Sequence, residues 1–103
     1  MHIVLRKFKV EKGFLKKLSE KFLNDSDIQK ADGFIKMEFF SNEKKVDFDT
    51  GILKIYWESK DSFSKWKKSP DHVEGHKDNK GLPKEVVDIT IESYEFVAER
   101  IKG

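Results

Sequence analysis

Residues 2–10 carry apolar side chains on both faces of a strand, and no other feature constrains this chain as much. Val4, Phe8 and Val10 share one face, with Arg6 among them, while Ile3 and Leu5 occupy the other. Side chains alternate across a strand. Apolar residues on both sides therefore mean that both faces of the sheet are covered. The chain has 103 residues, which is room for one domain, read as residues 1–103, and one core. Little is left for a deep private cavity, so a large ligand needs a cleft at an edge or help from a partner subunit.

The remaining pattern supplies the other elements. Glu11, Lys12 and Gly13 form a turn, and a helix follows with Phe14, Leu15, Leu18, Phe22 and Leu23 on one stripe. Residues 24–27 end it and cap a short turn at Ile28. Gly33 opens a second strand over residues 34–40. Its alternation puts Ile35, Met37 and Phe39 on one face and Phe34 and Phe40 on the other. Residues 41–47 are a polar link to a third strand, 51–57, with Leu53, Ile55 and Trp57 on one face and Ile52 and Tyr56 on the other. Ser59 caps a helix whose first turn holds Asp61, and Phe63 and Trp66 share a face of it. Ser69, Pro70 and Asp71 start a second helical piece that carries His72, Val73 and His76. Residues 78–85 form a loop, and residues 86–97 a last strand. The apolar phase of that strand changes between Ile91 and Tyr94, so a bulge or a change of covered face lies near Glu92 and Ser93.

The resulting order, β-α-β-β-α-β, predicts an α+β, ferredoxin-like sheet. Its helices cover one face, and the other keeps Ile3, Leu5 and one phase of each later strand. An apolar face of that size calls for a partner. The expectation is a homodimer with two sheets packed face to face. Which phase of the third strand meets the partner is not fixed by the pattern; Leu53 is the trial choice.

Charge and cysteine content exclude several classes. Lys and Arg number 21 and Asp and Glu 19, a net +2 of interleaved signs. That is a solvated surface and not a nucleic-acid footprint. Nineteen of the basic residues are Lys, and Arg is the better reader of bases and phosphates. No apolar run approaches the ~20 residues that span a bilayer, so no membrane partner is expected. The short apolar start, broken by Arg6 and Lys7, does not read as a signal peptide. The absence of Cys removes disulfides, Cys-zinc sites, iron–sulfur clusters and thiol catalysis, and agrees with a reducing cytoplasm.

Three constellations stand out. His76, four residues after His72, reads on spacing alone as a surface or half-buried histidine. An axial ligand for porphyrin iron and a zinc pair with His72 are the sharper alternatives. Trp57, Phe63 and Trp66, with Phe8 and Phe22, read as core, although Trp66 precedes His76 by only ten residues. Arg6 is a cation on an apolar face. Such a group snorkels out, pairs with a carboxylate or meets an anionic ligand.

The run Trp57-Glu58-Ser59-Lys60, then Phe63, Trp66, Ser69, His72 and Gly75-His76-Lys77, resembles the antibiotic-biosynthesis-monooxygenase superfamily. Within it, the chain is most similar to haem-degrading monooxygenases of the IsdG and HmoA type. The segment Val10-Glu11-Lys12-Gly13-Phe14, the segment Asp32-Gly33-Phe34 and the loop Asn79-Lys80-Gly81-Leu82-Pro83 carry the same likeness. The resemblance implies a dimeric α+β barrel that binds haem as both substrate and cofactor. It implies cleavage of the macrocycle with O2 and an external reductant, releasing iron. His76 matches the proximal ligand, and Trp66 the residue that presses on and distorts the porphyrin. Arg6 falls where better-known members carry an Asn, a departure, because Arg only donates and carries charge. Phe63 lines the same slot, and Lys77 and Lys80 are propionate partners by proximity to His76. Two further readings stand beside this one. The first is a haem- or apolar-ligand-binding dimer without turnover. The second is a cofactor-independent aromatic monooxygenase.

Overall fold

In a computed structural model that describes residues 1–24, 27–43, 47–69 and 83–103, strand β1 (His2–Glu11) is an inner strand of the sheet. It pairs antiparallel with β3 (Phe48–Trp57) on one side and with β4 (Val86–Glu95) on the other. Strand β2 (Phe34–Asn42) pairs antiparallel with β3 at the far edge, so the sheet order is β2-β3-β1-β4. Helix α1 (Leu15–Asn24) links β1 to β2, with a 3-10 turn at Ile28–Lys30, and α2 (Lys60–Lys67) follows β3. This is the ferredoxin-like α+β arrangement that the pattern predicts.

The alternation in β1 decides which side is which. Val4, Phe8 and Val10 are buried beneath the helices with Leu53, Ile55 and Trp57 of β3 and Leu15 and Leu18 of α1. Leu53 is only 1% exposed within one chain, so the trial choice that aimed it at a partner is wrong. The open face is the other phase: Ile3 and Leu5, then Ile52 and Tyr56, with Phe40 and Tyr94 flanking them. Charges are interleaved here. Lys7 pairs with Glu92 at 2.8 Å, and the ammonium groups of Lys36 and Lys54 each lie 4.7 Å from the Tyr56 ring centre.

Two bulges alter the expected phases. In β2, Phe34 pairs with Trp57 and Lys36 with Tyr56, leaving Ile35 as the extra residue. Phe34 therefore joins Met37 and Phe39 against the core, and Ile35 turns outward. This corrects the simple alternation, which put Ile35 with Met37 and Phe39. In β4 the register slips at Val87, between the Lys9–Asp88 and Val10–Val86 pairs. The sheet is in register through Glu92 and Ser93, so the phase change there is a change of face. Ile91 lies on the helix side opposite Arg6, and Tyr94 on the open side opposite Ile3. The strand ends at Glu95, two residues before the expected Val97.

Local chemistry fixes both helix entries. Gly13 adopts φ +85° in the turn before α1, a region that favours glycine. Asp49 of β3 holds this turn: its carboxylate accepts from Lys12 Nζ at 2.7 Å and from the Gly13 amide at 3.1 Å. At the other end, Ser59 caps α2 by accepting from the Ser62 amide at 3.1 Å, as its sequence position predicts. The Glu58 amide then donates to the Gly33 carbonyl at 2.7 Å, tying the start of α2 to the start of β2.

Candidate functional site

The two helices cover opposite ends of one sheet face. Near one end, Phe22 of α1 meets Phe8 of β1 with ring centres 5.2 Å apart. At the other end, α2 sets Phe63 and Trp66 against Trp57, at 5.9 and 5.6 Å. Both helices pack over β3, and α1 over β2 as well. On the helix side of β4, Val86 and Ile89 are partly buried against the core, whereas Ile91 is 58% exposed and Ser93 is exposed too. The strip of sheet over the middle of β1 and β4 is thus an open trough in the helix-side face. Arg6, Ile91 and Ser93 lie along its floor, with Val4 buried beneath it. Phe63 and Trp66 of α2 stand at the end where Phe63 stacks on His2.

Arg6 sits midway in this trough. By strand rise it lies roughly 13 Å from His2, which faces Phe63. Among the described residues it makes no ion pair, and its Nε is buried without a hydrogen-bond partner. Burial pushes the guanidinium below its ordinary value. A desolvated donor without an acceptor is costly in isolation, a cost that an acceptor brought against it would offset. Of the three fates open to this cation, pairing with a carboxylate of the described residues does not occur.

Trp57 is the hub of the aromatic cluster. It is fully buried, and Phe34 meets it edge-on at 5.9 Å and 80°. Phe63 and Trp66 are only partly buried. Trp57 is therefore core, as the plain reading has it, whereas Phe63 and Trp66 pack on the core and still present surface. Ser69 stabilises the end of α2 by donating from both its amide and its hydroxyl to the Trp66 carbonyl, at 3.0 and 2.7 Å.

The structure thus brings Phe63 and Trp66 together and places Arg6 on the adjoining floor. His76, Lys77, His72 and Lys80, and the helical piece expected after Ser69, lie outside the described residues. Sequence reasoning missed His2. It is 3% exposed, stacks on Phe63 and contacts Glu95. The signal was present, since His2 shares the phase of Val4 and Phe8, but its partner is 93 residues away.

The family description "antibiotic biosynthesis monooxygenase" matches residues 1–78. The chain is 37% identical over 84 residues to the heme-degrading monooxygenase HmoA of Bacillus subtilis, covering 82% of this chain and 78% of that one. It is 34% identical over 76 residues to a staphylobilin-producing heme oxygenase of Staphylococcus saprophyticus, covering 74% and 73%. The solved structure of the heme-degrader MhuD from Mycobacterium tuberculosis, with two hemes bound in its active site, superposes with a TM-score of 0.71. That match has 17% identity and covers 97% of this chain and 99% of MhuD.

Proposed function

This chain belongs to the antibiotic biosynthesis monooxygenase family, and from that membership we propose that it is a haem-degrading monooxygenase. The observation that carries the reading is the trough itself. Its Phe63 and Trp66 end is apolar and its floor holds a buried, unpartnered Arg6 nitrogen, which suits a flat apolar molecule with anionic arms. Relatives named for haem degradation, at 34–37% identity over most of the chain, support the same ligand.

When bound, haem supplies both the redox iron and the ring that is opened, with O2 and electrons from an external donor. The chain's own residues provide place and field. His76 is proposed as the iron ligand, which requires its neutral imidazole. Trp66 and Phe63 form an apolar wall that excludes water and favours a non-planar ring. Arg6 is proposed to hold negative charge, either a propionate or charge that develops beside the iron. Lys77 is proposed as a second propionate partner. The open sheet face, with Ile3, Leu5, Ile52 and Tyr56, is proposed to pair with a second copy of the chain, giving a dimeric barrel. A cytoplasmic location completes the proposal.

Hemin titration followed by absorbance tests the ligand. A sharp Soret band saturating at one haem per chain is expected, lost in His76→Ala and kept in His72→Ala. Absence of the band in the parent protein overturns the haem reading. Aerobic turnover with a reductant then separates the enzyme from a carrier. That second reading is favoured by Arg6, which cannot reproduce the donor-and-acceptor role of an amide at this position.

A further inference from the structure

His2 and Glu95 face each other across the β1–β4 pair. The backbone closes around them, with the Phe96 amide donating to the Met1 carbonyl at 2.9 Å. The imidazole is buried, whereas the Glu95 side chain is 57% exposed. His2 Nδ1 is in hydrogen-bond contact with Glu95 Oε1. A carboxylate only accepts, so Nδ1 carries a proton in this contact and the ring is held in one orientation. The face of that ring lies against Phe63, with centres 5.5 Å apart and planes 29° from parallel.

An apolar side chain at position 2 would bury more apolar surface and would need no partner. The imidazole instead accepts a tether from β4 and presents a fixed plane to α2. Phe63 is only partly buried and has no polar atom to orient it. Ring contacts hold it, to Trp57 at 5.9 Å on the core side and to His2 on the β1 side, with the Lys67 ammonium 5.9 Å from its centre. The His2 stack is therefore one of the contacts that limit its rotation. Glu95, His2 and Phe63 form a chain of contacts that starts in solvent and ends at the trough wall.

We propose that His2 is a positioning residue, pinned by Glu95, that sets the plane of Phe63 and with it the apolar wall of the trough. The proposal deepens the haem reading and rests on it only for the identity of the ligand.

Glu95→Ala removes the pin. Glu95→Gln keeps an acceptor without the charge. His2→Asn keeps a donor near the Nδ1 position and loses the ring, and His2→Phe keeps a ring and loses the donor. Far-UV circular dichroism confirms folding of each. Near-UV circular dichroism of the ligand-free protein reads the Trp57–Phe63–Trp66 cluster, and a hemin titration reads the wall. Glu95→Ala, His2→Asn and His2→Phe are expected to change the near-UV bands and weaken hemin about fivefold to tenfold. Glu95→Gln should stay within about twofold of the parent. Glu95→Met, which keeps the length of the side chain but has no oxygen acceptor, should instead fall with Glu95→Ala, a split that mere loss of packing does not give. Glu95→Ala matching the parent in both signals overturns the proposal, as does Glu95→Gln falling as far as Glu95→Ala. If the parent binds no hemin, the haem reading fails by itself. The near-UV bands then decide: change in Glu95→Ala with rescue in Glu95→Gln supports the positioning, and no change overturns it.

Discussion

Gly33 and Ser62 approach so closely that a methyl group on Gly33 would lie 2.2 Å from Ser62 Oγ. Gly33 also has φ +85°, so two independent demands fall on one residue. Gly33→Ala is expected to cost about 2–4 kcal/mol, from the left-handed backbone and the clash with α2. Chemical denaturation measures it, and a midpoint equal to the parent's would refute the coupling of β2 to α2. Gly13 shares the φ but has open space around its Cβ position, so Gly13→Ala should cost only the backbone part.

Asp49 gives the fold an acid limit. Its carboxyl is held below the ordinary range, first by the hydrogen bond from Lys12 and next by the Gly13 amide. The unfolded chain therefore takes up this proton at a higher pH than the folded chain. The contribution is complete above the ordinary Asp value of about 3.9 and disappears as pH falls through the lower folded value. Glu38 and Glu92 are also lowered, but they are common to parent and variant and cancel in the comparison. Between about pH 5 and pH 3, urea midpoints should fall further for the parent than for Asp49→Asn. Equal falls would show that the turn gains nothing from the charge.

The two phases of the sheet should respond differently to charge. Leu53→Lys places an ammonium in the core at a cost of at least about 3 kcal/mol, against a domain stability of about 5–15 kcal/mol. Loss of the folded signal is expected. Ile3→Lys alters the open face, where Tyr56 and Tyr94 are its cross-strand partners. It should leave the chain folded and shift light scattering from dimer to monomer. A parent protein of 12.1 kDa by light scattering at micromolar concentration would remove the dimer altogether.

Trp66 should matter for turnover more than for binding. Its ring packs 5.6 Å from Trp57 and keeps a partly exposed surface. Trp66→Phe retains apolar contact but presents a smaller ring. Hemin affinity is expected to change by less than about tenfold, or about 1.4 kcal/mol, with slower degradation under reductant. Equal rates in variant and parent would make Trp66 ordinary core.

Much of the fold was legible because its signals are local. Alternation in β1, the stripe of α1 and the cap at Ser59 each depend on residues within one element. The phase of Phe34 was not legible, because the bulge at Ile35 is set by register against β3, which no local pattern encodes. The bulge at Val87 and the pairing of His2 with Glu95 are long-range in the same way. For the site, Phe63 and Trp66 were marked by shared helical spacing and Arg6 by its misfit among apolar neighbours. Spacing left His76 with three readings and motif likeness chose among them, Lys77 followed only from its place beside His76, and both remain proposals.

Alternate residues of β1 serve two different surfaces. Ile3, Leu5 and Lys7 look to the open face, and His2, Val4 and Arg6 to the trough. Only the thickness of one backbone separates them. Inserting a single residue between Val4 and Leu5, with the register held at Val4, would turn over the rest of the strand, carrying Arg6 to the outside and Leu5 into the trough. Point substitutions in this strand can drift one surface at a time. A change in length cannot, so the spacing within the strand is less free to vary than any side chain it carries.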